Sequence, residues 1–167
     1  MGSCMELEGK TALITGSTGS GVGRSTAFRL ALEGANIILN YGTHHRTDPE
    51  LKDAEKNAKI IANVVKEFGG ESFVLPADTR EPCQVKAMVN VGIERFGAID
   101  ILVNNAGGEW LVQDITKIEP NHWRSVLQAE TDGAFYCIKY VLPGMRERRW
   151  GRIINISMEN ALNWTGY

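Results

Sequence analysis

Four glycines fall within eight residues of this chain, at positions 16, 19, 21 and 23, directly after the apolar run Ala12-Leu13-Ile14. A helical pattern begins immediately afterwards, so the order is strand, glycine-rich turn, helix. Glycine lets a backbone turn tightly and approach a ligand with no Cβ in the way. The helix that follows presents unpaired N–H groups and a partial positive charge at its amino end. Strand, turn and helix in that order form a cradle for a dinucleotide pyrophosphate, built here from Gly16, Ser17, Thr18, Gly21, Val22 and Gly23. An ordinary βα turn rich in glycine has the same local pattern, so the rest of the chain has to decide.

Strand-type runs at about 10–15, 36–40, 72–76, 99–103 and 152–157 alternate with helical patterns at about 21–33, 50–68, 81–96 and 120–146. Gly34, the Gly69-Gly70 pair and Gly97 stand where the first three helices should stop. Alternation of this kind implies parallel pairing through right-handed crossovers. The runs Ile37-Ile38-Leu39 and Ile99 to Val103 are almost continuously apolar, as strands covered on both faces are. The expected fold is a doubly wound, Rossmann-type α/β sheet in three αβα layers, one domain over residues 1–167. A hydrophobic content of 43% with 23% charged residues suits a globular domain of that kind. The net charge of −2 supplies no basic field for nucleic acid or an anionic membrane, and no apolar run is long enough to span a bilayer. Cys4, Cys83 and Cys137 are scattered without a C-x-x-C pair, which points to a reducing, cytoplasmic setting.

The second strand ends at Asn40-Tyr41, followed by Gly-Thr-His-His-Arg46. A site for NAD would place an Asp or Glu near this strand end to bind the ribose 2′-hydroxyl, and none is present. Arg46, with His44 and His45, could face a 2′-phosphate instead, which favours NADP over NAD; a solvated polar loop is the alternative. Adjacent histidines in a loop lack metal-site spacing, so no metal is expected. The charged stretch from Thr47 to Lys59 reads as an inserted loop entering a helix, with Pro49 near its start. The third strand runs into Asp78-Thr79 and the fourth into Asn104-Asn-Ala106-Gly107. Both are carboxyl ends of parallel strands, where ligands bind in such sheets. Asp78 can accept a hydrogen bond from an adenine amine, and Asn104, Ala106 and Gly107 let a sugar lie against the backbone.

These pieces, together with Pro143-Gly-Met145 and Gly151-Arg-Ile-Ile-Asn-Ile-Ser157, resemble the short-chain dehydrogenase/reductase family, and within it the 3-oxoacyl-carrier-protein reductase-like members. The resemblance covers nearly the whole chain. It implies NAD(P)-dependent hydride transfer between the cofactor and a small carbonyl or alcohol substrate. It also implies a homodimer or homotetramer formed through the helix near 120–146 and the one after it.

The chain departs from the family pattern in four places. The glycine turn has one more residue between Gly16 and Gly21 than the usual T-G-x-x-x-G-x-G. Glu130 falls where the family has an Asn that organises a proton-relay water. Met158 falls at the position of the catalytic Ser, and methionine cannot donate a hydrogen bond to a developing alkoxide. Ser157 lies one place earlier, on the opposite face of the strand. The family's Tyr-x-x-x-Lys pair is not found after Met158, and Tyr167 comes too early for it. The run from Arg152 to Ser157 would also be a last, unprotected edge strand whose apolar pattern expects further cover. The expectation is therefore a domain incomplete at its carboxyl end, its final strands missing. Two readings of function follow: an NADP-preferring oxidoreductase, or a catalytically inactive relative that binds a dinucleotide as a sensor or subunit.

Overall fold

The computed structural model describes residues 5–19, 21–44, 47–108 and 113–157. Among the described residues five strands form one parallel sheet: β1 (Thr11–Ile14), β2 (Asn36–Tyr41), β3 (Ser72–Pro76), β4 (Ile101–Asn104) and β5 (Arg152–Asn155), in the order β3-β2-β1-β4-β5. β1 is central, pairing Thr11 to Asn36 on one side and Ala12 to Ile101 on the other.

Successive side chains on a strand point to opposite faces, and the core divides accordingly. Ala12, Ile14, Ile37, Leu39, Ile101 and Val103 belong to one buried cluster, with residues of α1 (Val22–Leu32) and α2 (Asp48–Glu67). Leu13, Ile38 and Leu102 belong to the other, with residues of α3 (Pro82–Phe96) and α5 (Gly133–Glu147). Helices thus cover both faces, which is why the central strands are apolar without alternation. The three-layer, doubly wound reading holds. β3 and β5 are the edges, and Ile154 and Ile156 at the β5 edge are 42% and 38% exposed.

Two elements differ from expectation. The charged stretch after Thr47 is not a loop: α2 begins at Asp48, with Pro49 in its first turn. Glu50 reaches back to accept from the Thr47 backbone N–H at 2.7 Å and from its hydroxyl at 2.9 Å, satisfying the helix start locally. The helix expected over 120–146 is also not continuous. It runs as α4 (Pro120–Leu127), a wide π-type turn over Gln128–Asp132, and then α5. At the end of the wide turn the Gly133 N–H bonds to the Gln128 carbonyl, five residues back.

Candidate functional site

The glycine turn leaves the sheet between β1 and its two neighbours, where the strand order reverses. Gly16 adopts φ +61°, and a Cβ there would stand 2.8 Å from the Ala106 backbone, so a side chain is excluded twice over. Gly23 sits against Asn105, whose Nδ2 would lie 2.5 Å from an added Cβ. Gly21 caps α1 with no side chain, and no acidic residue stands in the first turn. That amino end therefore keeps its dipole for an anion.

Two buried tethers hold the turn. On the β4 side, the Thr15 hydroxyl accepts from the backbone N–H groups of Asn105 and Ala106, each at 3.0 Å. Asn105 Nδ2 donates to the carbonyls of Thr15 (2.9 Å) and Gly16 (3.0 Å). On the β2 side, Asn40 Oδ1 accepts from Gly16 N–H at 3.2 Å, and the Asn40 carbonyl accepts from Ser17 N–H at 2.9 Å.

The turn opens on a cleft of about 670 Å³, within the range of small-ligand sites. Thr18, Ala77, Asp78, Thr79, Ala106 and Gly107 all border it, as the strand-end reading expects. Ser17 is fully buried behind the turn, and Val22 is 55% exposed on α1. Tyr41 packs with Ala54, Ala58 and Val74 beneath α2, since strand alternation turns it away from Asn40. Burial raises its phenol pKa, with Glu55 adding to the effect. Asn104 donates to Asn155 Oδ1 at 2.8 Å across the β4–β5 pair, and its own buried Oδ1 has no partner among the described residues. Arg46, Met158 and Tyr167 lie outside the described residues, as does His45.

Asp78 is more heavily engaged than its sequence position suggests. Arg80 approaches both carboxylate oxygens, its Nε and backbone N–H to Oδ1 at 2.9 and 3.0 Å and Nη2 to Oδ2 at 3.0 Å, and His44 Nδ1 lies 3.2 Å from Oδ2. Burial pulls the Arg80 guanidinium below its usual pKa. Gln84 accepts from the Asp78 backbone N–H at 2.9 Å, fixing the strand end. At the opposite side, the wide turn carries Glu130 to the backbone of the β4 loop, where Oε1 accepts from Gly108 N–H at 2.9 Å. The same carboxylate would stand 2.6 Å from a Cβ on Gly107.

Sequence reasoning missed several groups that border the cleft: Arg80, Asn105, Glu50, His122 and Ser125. Only Glu50 had a local signal, the Thr47-x-x-Glu50 spacing of a capping box. Among the described residues no cluster of three or more His, Cys, Asp or Glu could hold a metal, and no helix is long and apolar enough to cross a membrane.

Comparison with known proteins gives a consistent result. A family model described as short chain dehydrogenase matches residues 10–165. A 3-oxoacyl-(acyl-carrier-protein) reductase of Staphylococcus aureus is 34% identical over 150 residues, covering 89% of this chain and 55% of that protein. D-beta-hydroxybutyrate dehydrogenase of Cupriavidus necator is 36% identical over 160 residues, covering 93% of this chain and 55% of that one. The crystal structure of an NAD+-bound xylitol dehydrogenase matches with a TM-score of 0.83 at 28% identity, over 95% of this chain and 56% of the other. The chain spans about half the length of the relatives it matches.

Proposed function

The chain belongs to the short-chain dehydrogenase family, and from that premise we propose that it holds the cofactor in an oxidoreductase moving a hydride between a nicotinamide dinucleotide and a small carbonyl or alcohol. The observation that carries this reading is the glycine turn tethered on both sides, by Asn40 and Asn105, at the mouth of the cleft. A pyrophosphate requires the close backbone approach that such a turn provides.

The residues present fit that cofactor. Gly16 to Gly23 and the amino end of α1 would receive the pyrophosphate, Ala77 to Thr79 the adenine, and Ala106-Gly107 the second ribose. The bound nicotinamide supplies or accepts the hydride; the protein supplies position. Asp78 already receives the Arg80 backbone N–H and Nε on Oδ1, and Arg80 Nη2 with His44 Nδ1 on Oδ2, about the four sites a carboxylate offers, so an adenine amine bonded there would displace one of these donors. Met158, which falls at the position of the family's serine, cannot donate a hydrogen bond. The role assigned to the residues above is holding and orienting the cofactor. The exposed apolar side chains Trp123, Leu127 and Phe135 on α4 and α5 support pairing with a second copy along these helices.

The cofactor is taken to be the 2′-phosphorylated form. β2 ends without an acid, and His44 and Arg46 belong to the loop that follows. Glu50 borders the same end of the cleft and opposes a 2′-phosphate, so the preference rests on the basic residues of that loop. Fluorescence titration tests it. NADPH should bind more tightly than NADH, and Arg46→Ala should weaken NADPH at least about tenfold, or about 1.4 kcal/mol, with little effect on NADH. Equal losses for both cofactors would refute the assignment.

A further inference from the structure

The acid that reads a ribose in NAD sites stands near the end of the second strand, so a residue such as Asn40 invites the same reading. Its surroundings do not permit it. Asn40 is fully buried, and every polar atom of the residue that can bond to the turn or to β3 does so. Oδ1 accepts from Gly16 N–H at 3.2 Å. Nδ2 faces three carbonyl oxygens, those of Leu75 and Ala77 at 3.2 Å and of Tyr41 at 3.3 Å. The main-chain carbonyl accepts from the Ser17 N–H at 2.9 Å and from the Ser17 hydroxyl at 3.4 Å. One amide therefore joins the glycine turn to the end of β3, two segments that are not hydrogen-bonded neighbours in the sheet.

We propose that Asn40 is a positioning residue that sets where the phosphate cradle begins, and not a reader of the ribose. The functional meaning of this role rests on the dinucleotide reading above; the structural tie does not. The role needs an acceptor and a donor on one short side chain. A carboxylate at this position would set a negative oxygen against the carbonyl oxygens of Leu75 and Ala77 in a buried site, replacing a donor by a repulsion. Asn40→Asp, the change expected to create an NAD site if residue 40 read the ribose, instead dismantles the cradle. A protonated Asp regains one donor while keeping the acceptor, and burial raises the pKa of such an acid. The defect is then relieved by acid.

The test compares wild type, Asn40→Asp and Asn40→Ser at pH 8 and pH 5.5. It reads hydrogen exchange of the 15–19 segment without cofactor, and affinity for NADPH and NADH. Wild type carries the same neighbouring titratable groups, Asp78 with Arg80 and His44, and Tyr41 on the strand, and so controls for their titration. Asn40→Asp is expected to lose Gly16 protection at pH 8, to weaken both cofactors tenfold or more by the same factor, and to recover both at pH 5.5. Asn40→Ser, too short to bridge and uncharged, should show the loss at both pH values without recovery, and carries the test if Asn40→Asp does not fold at pH 8. Retained Gly16 protection in both variants, or tighter NADH with weaker NADPH in Asn40→Asp, would overturn the proposal. If wild type binds neither dinucleotide, the proposed function falls, and the exchange measurements alone decide the role of Asn40.

Discussion

Gly16 bears the sharpest constraint of any single residue at the site, because a positive φ and a backbone 2.8 Å from its missing Cβ act together. Gly16→Ala should cost about 1–2 kcal/mol from the left-handed conformation alone, and more once Ala106 must move. Urea denaturation measures this; a change below about 0.5 kcal/mol, the usual size of a neutral surface substitution, would contradict it. The positions of Gly16 and Gly23 were legible in the sequence because a tight turn before a helix calls for residues without side chains. Their partners were not. Asn105 lies 90 residues from Thr15, and Asn40 lies 24 from Gly16. No local spacing encodes a bond over such distances. Asn104 was the more conspicuous of the two asparagines, yet it turns to Asn155 while Asn105 holds the turn.

At the scale of elements, the two departures from expectation have different causes. The start of α2 was readable: Thr47-x-x-Glu50 with Pro49 is a helix-start pattern, and the density of charge obscured it. The break between α4 and α5 had no such signal. Apolar residues continue at helical spacing through Val126, Ala129, Gly133 and Cys137, all buried, so the sequence reads as one helix. The wide turn accompanies tertiary contacts instead, with Glu130 on Gly108 N–H and Gly133 against Thr79. Glu130→Ala should remove a charge-assisted bond worth about 1.5–3 kcal/mol, and Glu130→Gln, which keeps an acceptor, should cost roughly half of that or less. Chemical denaturation separates them; a cost below about 0.5 kcal/mol for Glu130→Ala would show that the bond to Gly108 contributes nothing.

For the whole molecule, strand–helix alternation was enough to anticipate a parallel sheet covered on both faces, because only burial on both sides makes strands such as Ile37-Ile38-Leu39 wholly apolar. The position of the cleft fits the same reasoning, since β1 lies between β2 and β4 and the crevice opens where the order reverses. The charge arrangement around Asp78 did not follow, because it depends on Arg80 and His44 folding back onto one carboxylate. The claim that this cleft holds a nicotinamide dinucleotide is tested most directly by titrating NADPH into wild type and Gly21→Trp while following cofactor fluorescence. Gly21 has negative φ and open space around its missing Cβ, so the variant keeps the fold and blocks only the amino end of α1. The prediction is a saturable change in wild type, competed by NADP+, that is absent in folded Gly21→Trp. No saturable change in folded wild type, or an undiminished one in the variant, would contradict it.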